Sequence, residues 1–183
     1  MKAMHNKCVE PGVEANIWKS LNINIDDYKD KLNLACGADY KEGWINQDFD
    51  RRVRADVYFD LDTMIDADGV QHVGMPFEDD KFELVYACHI LEHIRNLQEL
   101  KTEIYRILKP GGVLACVVPH YLSVDAWGNP QHIRAFSMDS FVVGQFWPGE
   151  YLPNMELWEL NLSGEDKDYT PKWIISKRTK VKG

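Results

Sequence analysis

The sequence predicts an α/β fold in which a mostly parallel β-sheet carries helices on its faces. Two observations favour this class. Apolar runs of strand length alternate with a segment of helical periodicity, and that segment stops at Lys109-Pro-Gly-Gly112, directly before the apolar run Val113–Val118. With 183 residues, of which 45% are hydrophobic and 27% charged, the chain is expected to form one domain over residues 1–183.

A lead-in and three strands are expected in the first part of the chain. Residues 1–30 are polar and weakly periodic, with one helix predicted around Val13–Leu21. Three apolar runs follow, and each is predicted to be a strand: Lys31–Ala35, Trp44–Phe49 and Ala55–Asp60. The segment Asp62–Gly74 is rich in Asp and Gly and is therefore predicted to be a loop.

A buried strand, a helix and a further strand are expected in the middle of the chain. Phe82–Cys88 is predominantly apolar, which is typical of a strand covered on both faces. The helix is predicted from an apolar stripe at helical spacing: Leu97, Leu100, Ile104, Ile107 and Leu108. The proline and glycines at 110–112 end this helix, and Val113–Val118, closed by Pro119, is the next strand.

One helix and a final pair of strands are expected in the last part of the chain. Ser137 is a suitable cap for a helix over Met138–Phe146. Met155–Leu162 and Trp173–Lys177 are predicted to pair as strands, joined by the polar loop Ser163–Pro171.

Charge and cysteine usage exclude some function classes. The net charge is −8 with a pI of about 5.2, which argues against general binding to a nucleic-acid backbone. No apolar run reaches membrane-spanning length, and residues 1–8 lack the apolar region of a signal peptide, so no membrane partner is expected. The four cysteines are scattered without a CxxC motif, which predicts a reduced, cytoplasmic protein.

A strand, a tight loop and an acid form the most informative motif. The apolar run Leu32–Leu34 ends in Ala-Cys-Gly37, and the next apolar run ends in the carboxylate of Asp48. A carboxylate can accept hydrogen bonds from both hydroxyls of a ribose, so the motif indicates a nucleoside-bearing cofactor. Asp48 follows Gly37 by 11 residues, whereas a dinucleotide fingerprint places its acid about 20 residues on. That spacing counts against NAD.

The short interval between the first two strands is unusual for a parallel pair. Only residues 37–43 separate them, yet a parallel crossover normally needs a dozen or more residues including its helix. Either the first helix is cut to about one turn, or the strand boundaries differ from those predicted.

Four ordered motifs resemble the class I S-adenosylmethionine-dependent methyltransferases, in particular their small branch with a shortened first helix. They are Leu32-Asn-Leu-Ala-Cys-Gly37, Gly43-Trp-Ile-Asn-Gln-Asp48, the run from Met75 to His93, and Ile107-Leu-Lys-Pro-Gly-Gly112. The resemblance implies a Rossmann-like methyltransferase fold. Its sheet is seven-stranded and mostly parallel, with an antiparallel last strand and helices on both faces. It also implies S-adenosyl-L-methionine as the cofactor and S-adenosyl-L-homocysteine as its product.

The resemblance assigns cofactor-binding roles to particular positions. Ala35, Cys36 and Gly37 match the loop whose backbone approaches the methionine part. Asp48 matches the acid that holds the ribose, and Phe49 lies where the adenine ring packs. The remaining cofactor positions are Asp60 and Leu61 on the other side of the adenine, and Ala87, Cys88 and His89 under the amino-acid end. Two positions depart from the family pattern: Asn33 replaces an acid, and Ala35 replaces a glycine.

Catalysis needs little beyond alignment and removal of water, because the thioether that a sulfonium releases on methyl transfer is a good leaving group. If the acceptor is a hydroxyl or an ammonium, a base must remove its proton, and the candidates are His120 and His132. Tyr121 and Arg134 could orient a polar or acidic substrate. The alternative for each histidine is a hydrogen bond to the loop backbone.

A metal site is not expected. His89 and His93 are four residues apart, but His-Ile-Leu-Glu-His is not the His-Glu-x-x-His zinc pattern, and no third ligand is evident nearby in the sequence.

The predicted function is methyl transfer from S-adenosylmethionine to a small-molecule or glycan-like acceptor. One alternative is a non-catalytic methyltransferase-fold module that serves as a binding or partner subunit. A second alternative, an NAD(P)-dependent oxidoreductase, is disfavoured by the spacing of the acid. The acceptor, the atom methylated and the oligomeric state stay open.

Overall fold

The computed structural model describes residues 11–137, 139–142, 155–160 and 173–180. The strands are β1 Lys31–Leu34, β2 Ile45–Asp48, β3 Val57–Asp60, β4 Ile65–Asp66, β5 Phe82–Cys88, β6 Leu108–Pro119, β7 Met155–Leu160 and β8 Trp173–Thr179. The helices are α1 Pro11–Ser20, α2 Leu97–Ile107, α3 Val124–Trp127 and α4 Asp139–Val142, with a 3₁₀ turn at Ile25–Asp27. Among the described residues, no helix combines the length and the apolarity needed to cross a membrane.

The strands form one mixed sheet in the order β4-β3-β2-β1-β5-β6-β8-β7. The pairs β1–β2, β1–β5, β2–β3 and β5–β6 are parallel, and β8 runs antiparallel to both β6 and β7. The prediction of a mostly parallel, Rossmann-like sheet with an antiparallel last strand is therefore confirmed. The two-residue strand β4 adds an eighth member at the edge beside β3.

Helices cover both faces of the sheet, as predicted. Leu100, Ile104 and Ile107 of α2 are fully buried against one face, which explains why the apolar stripe of this helix is regular. On the other face α1 contributes Ile17 and Trp18 to a second buried cluster. Because both faces are covered, the central strands are continuously apolar and buried from Leu84 to Cys88 in β5 and from Val113 to Val118 in β6.

The crossover between β1 and β2 contains no helix, so the predicted single helical turn is wrong, while the strand boundaries agree within about one residue. In place of a helix, side-chain hydrogen bonds satisfy the backbone of the crossover. Asn33 Nδ2 donates to Asp39 O over 2.7 Å, Lys41 N donates to Asn46 Oδ1 over 2.8 Å, and Asn46 Nδ2 donates back to Lys41 O over 3.0 Å. These bonds satisfy a backbone that would otherwise need helical partners.

The segment Asp62–Gly74, predicted to be a loop, is partly ordered as strand. Its residues 65–66 form β4, which runs antiparallel to β3, and Ile65 forms a further bridge to Gln71. Asp66 Oδ1 accepts from Val70 N, and His72 Nε2 lies 2.6 Å from Asp66 Oδ2. Asp66, one of the aspartates from which a loop was predicted, therefore closes a tight turn.

Helix α2 ends at Ile107, but Lys109-Pro-Gly-Gly112 is not a loop. These residues belong to β6, which begins at Leu108, earlier than the predicted start at Val113. Gly111 N donates to Lys180 O over 2.9 Å, and Lys180 N donates to Gly112 O over 2.8 Å, so residue 180 just beyond β8 supplies the pairing. Such a pairing between distant segments is not visible in a local pattern.

Three predictions extend beyond the described residues. Within the predicted helix Met138–Phe146 the structure describes α4 alone, and Met155–Leu162 is confirmed as a strand as far as residue 160. The predicted loop Ser163–Pro171 lies outside the described residues.

Candidate functional site

The strand order reverses between β1 and β5. The chain adds β2 and β3 on one side of β1, and then adds β5 and β6 on its other side. Ligands of such sheets bind outside the carboxyl ends of the strands at this point. Ala35 follows β1 and His89 follows β5, and both have a φ of 52°. Left-handed backbone at non-glycine residues concentrates at functional sites, so this edge is the candidate site.

The loop after β1 is joined to the acid after β2. Gly37 N donates to Asp48 Oδ2 over 2.8 Å, and Asp50 N donates to Asp48 Oδ1 over 2.8 Å. Asp48 is only 6% exposed, yet a carboxylate has about four acceptor positions, so two remain for hydroxyl donors. Gly37 also has a φ of 52°, and a Cβ built on it would meet no atom within 4 Å. The loop backbone is therefore open to a ligand.

Buried polar groups hold this loop in place. Gln47 accepts from Ala35 N through its side chain over 3.0 Å and from Cys36 N through its backbone over 2.8 Å. Asn33, which replaces the acid expected from the family pattern, is buried, and its amide donates to Asp39 O and to Asn46. Its role here is to tie the loop to β2.

Cys36 is a neutral thiol in this setting. Burial raises the pKa of the Cys36 thiol to about 12, and the nearby carboxylate of Asp48 acts in the same direction. The thiolate is the nucleophilic form of cysteine, so Cys36 contributes shape and backbone to the site and no covalent chemistry.

Of the residues predicted to contact an adenine, Phe49 is the most available. Its side chain is 70% exposed immediately beside Asp48, so its ring can pack against a planar ligand. Asp60 accepts from the backbone N–H groups of Asp62 and Thr63 and closes a turn. Leu61 lies in the core. The predicted adenine contacts of Asp60 and Leu61 stay predictions.

Ala87 and Cys88 end β5, and His89 follows directly. These are the residues predicted to lie under the amino-acid end of the cofactor. Ala87 and Cys88 are buried. His89 N donates to Val117 O, and its Nδ1 lies 3.2 Å from Glu92 Oε1.

His120 is buried just beyond β6, and its Nδ1 accepts from Leu122 N over 3.2 Å. Its ring lies 4.7 Å from the ring of the partly exposed Tyr121. The hydrogen bond matches the alternative reading of His120, in which the ring orders the loop. Its role as a base and that of Tyr121 in substrate binding stay predictions.

Arg134 anchors the loop that follows α3. Its Nη2 donates to the carbonyls of Ile94 and Arg95 over 2.5 and 3.0 Å. The same loop is tied by Ile133 N, which donates to Glu92 O over 3.0 Å. Arg134 therefore docks the loop onto the segment after β5, and its predicted contact with a substrate stays a prediction.

Docking of this loop brings His132 against His93, with ring centroids 4.6 Å apart. His132 Nε2 lies 4.0 Å from Glu92 Oε1, and its Nδ1 lies 3.2 Å from the carbonyl of Ala126. Burial lowers the pKa of His93, while the carboxylate of Glu92 opposes the shift. The grouping of His93 with His132 has no signal in the sequence, because the two positions are distant in the chain.

An exposed apolar face flanks the site after β6. It consists of Tyr121, Leu122, Val124 and Trp127, of which Val124 is 82% and Trp127 68% exposed. A cleft of about 450 Å³ opens beside it, and its lining is Tyr121, Trp127, Ala135, Ser137, Asp139 and Ser140. The lining mixes aromatic and hydroxyl groups, so the cleft can hold a small molecule that is partly apolar.

Comparison with known proteins gives a consistent picture of the family. A family model described as a methyltransferase domain matches residues 25–116, about half of the chain. A sterol 24-C-methyltransferase of Aspergillus fumigatus is 42% identical over 62 residues, which is 33% of this chain and 16% of that protein. A botryococcene C-methyltransferase of Botryococcus braunii is 30% identical over 88 residues, 47% of this chain and 21% of that protein. The matches span only a small part of these relatives.

The fold is shared with solved structures. A SAM-dependent methyltransferase from Archaeoglobus fulgidus has a TM-score of 0.67 at 14% identity, covering 92% of this chain and 93% of that chain. A putative methyltransferase from Bacillus halodurans has a TM-score of 0.62 at 16% identity, covering 91% and 99%.

Proposed function

The chain belongs to the methyltransferase-domain family of class I S-adenosylmethionine-dependent enzymes, and from that premise we propose that it methylates a small-molecule acceptor. The observation that carries the proposal is the bond between Gly37 and Asp48, which sets an acid beside an open backbone loop. Together with the exposed ring of Phe49, this arrangement fits a nucleoside-bearing cofactor.

Each part of the site has a defined task. When bound, S-adenosylmethionine supplies an activated methyl group on a good leaving group. Asp48 holds the ribose hydroxyls with its remaining acceptor positions, and Phe49 packs against the adenine. The backbone of residues 35–37 lets the methionine part approach closely. What remains for the protein is to align the acceptor and exclude water.

The acceptor we propose is a small molecule with a substantial apolar surface. The exposed face of Tyr121, Leu122, Val124 and Trp127 would be costly to leave in water, and aromatic groups with hydroxyls line the adjacent cleft. Two relatives are named for a sterol and for botryococcene, which are small molecules of this kind. A glycan-like acceptor would use the same aromatic rings by stacking, and it is the competing outcome of the test.

The first test is calorimetric titration with S-adenosylmethionine, S-adenosylhomocysteine and NAD. We expect binding of the first two, weakened at least 10-fold in Asp48→Asn and unchanged in Asp68→Asn. Asp68 is an exposed aspartate, so its variant makes the same charge change elsewhere. Binding of NAD alone, or equal affinity in Asp48→Asn and wild type, would overturn the proposal.

The second test is transfer of a labelled methyl group to a panel containing a sterol, a linear triterpene and a short oligosaccharide. Transfer to the sterol or the triterpene supports the proposed acceptor class. Transfer to the oligosaccharide alone replaces it with the glycan-like class.

A non-catalytic binding module is the second candidate. It is favoured by Asn33, whose amide is committed to Asp39 and Asn46 at the position where the family pattern has an acid. Cofactor binding without transfer to any member of the panel would support this candidate over the enzyme.

A further inference from the structure

Three potential metal ligands converge beside the end of β5. They are Glu92, His93 and His132, and their ligand atoms all lie within 4.8 Å of one another. Glu92 and His93 are adjacent in the chain, and the docked loop brings His132 to them.

The burial of the Glu92 carboxylate is the main evidence for a ligand at this cluster. It is 1% exposed, and its Oε2 has no hydrogen-bond partner among the described residues. Leaving a buried carboxylate oxygen without a hydrogen-bond partner is unfavourable, so native proteins rarely do so without a functional reason. Its other oxygen, Oε1, lies 3.2 Å from His89 Nδ1. Oε1 thus lies near both His89 and His132 Nε2, which is 4.0 Å away, and Oε2 has acceptor capacity that no described group uses.

His132 is also oriented by a hydrogen bond. His132 Nδ1 lies 3.2 Å from the carbonyl of Ala126, so the ring N–H is on Nδ1 and the lone pair is on Nε2, on the side of Glu92. Metal-binding histidines characteristically hold one ring nitrogen with such a bond, which leaves the other for the ion. The ring of His93 packs against that of His132, with centroids 4.6 Å apart.

We propose that Glu92, His93 and His132 form a binding site for one divalent transition-metal ion of the zinc type. Two imidazoles and one carboxylate suit zinc, iron or cobalt, whereas magnesium and calcium prefer all-oxygen sites. Tetrahedral bonds of about 2.0–2.1 Å place ligand atoms roughly 3.4 Å apart. The three groups therefore need to draw together by about 1 Å, within the reach of side-chain rotation. His89 serves as a positioning residue for Glu92, and His132 acts as a ligand rather than as the predicted base.

The test uses the untagged full-length chain, freed of metal with a chelator and titrated with Zn²⁺ by calorimetry and with Co²⁺ by visible absorption. We expect one ion per chain, loss of binding in His132→Asn and Glu92→Gln, and about 10- to 100-fold weaker binding in His89→Asn. Asn is chosen at position 89 because it tolerates left-handed backbone. His72→Asn is the matched control, since His72 pairs with Asp66 of the edge strand β4, four strands away from β5.

Because a variant could lose binding by losing stability, the Tm of each protein is also measured with and without Zn²⁺. Zn²⁺ should raise the Tm of the wild type and of His72→Asn and should leave the Tm of His132→Asn unchanged. The proposal is overturned if the wild type binds no ion, or if His132→Asn and Glu92→Gln bind as tightly as the wild type. No S-adenosylmethionine is present, so the outcome is independent of the proposed function.

Discussion

Gly37 and Asp48 are joined by a hydrogen bond of 2.8 Å from the backbone N–H of the first to the carboxylate of the second. The bond spans 11 residues and links the ends of two neighbouring parallel strands. Because no helix lies between these strands, the loop and the acid are part of one short, tightly bonded connection. The 11-residue interval between Gly37 and Asp48, which disfavours a dinucleotide site, therefore follows from a crossover without a helix.

Ala35→Gly should stabilise the protein. Ala35 has a φ of 52°, which costs a non-glycine residue about 1–2 kcal/mol, whereas glycine adopts this conformation freely. After allowing for the greater chain entropy of glycine when unfolded, we expect a gain of about 0.5–1 kcal/mol in the free energy of unfolding, measured by urea denaturation. Ala38→Gly, in the same loop but without a positive φ, should have the opposite sign. Equal effects of the two changes would contradict the strain argument.

Phe49→Ala should weaken cofactor binding without affecting the fold. The ring is 70% exposed, so its removal costs little packing. Loss of stacking on the adenine should cost about 1–2 kcal/mol, or roughly 5- to 30-fold in the Kd for S-adenosylhomocysteine by calorimetry. Phe49→Tyr should retain the affinity, and Val73→Ala, at a fully exposed apolar residue, is the control. An unchanged Kd in Phe49→Ala would remove this residue from the site.

Arg106→Ala should destabilise the protein strongly, by about 2–4 kcal/mol in denaturant unfolding. The guanidinium donates to Glu103, Asp79 and the carbonyls of Met75 and Phe77, and so fastens the turn before β5 to α2. Arg95→Ala removes an arginine that is 84% exposed and should change stability by less than about 0.5 kcal/mol. Similar losses in the two variants would show that the network around Arg106 contributes little.

The free energy of unfolding should decrease at acidic pH, in part because Glu83 becomes protonated. Hydrogen bonds, first from Lys29 N and then from Lys109, lower the pKa of the Glu83 carboxyl below its usual 4.5. A depressed folded-state pKa adds stability above pH 4.5, and that contribution is lost as the pH falls through the lowered value. Glu83→Gln should therefore reduce the Tm at pH 7 and flatten its decline below pH 4.5, whereas Glu78→Gln, at an exposed glutamate, should follow the wild-type profile. Parallel profiles for Glu83→Gln and wild type would refute this assignment.

Local patterns were sufficient for most of the strands and for α2. The apolar stripe of α2 and the apolar run of β5 have distinct periods, and burial on a helix or sheet face enforces each of them. Local patterns were insufficient where partners come from far along the chain. Gly111 joins β6 because Lys180 pairs with it, and the aspartate-rich segment after β3 is partly a strand because β3 offers it an edge.

The sequence by itself determined the class of fold, the strand-loop-acid motif at Gly37 and Asp48, and the family to which both point, because these depend on the order and spacing of nearby residues. Only the tertiary structure decided that the crossover has no helix and that the side chain of Asn33 stabilises it by hydrogen bonds. The contact of His132 with Glu92 and His93 was likewise decided by the tertiary structure alone. These three residues meet because a loop docks through Arg134 onto the segment after β5, and a contact between distant segments leaves no periodic trace in the chain.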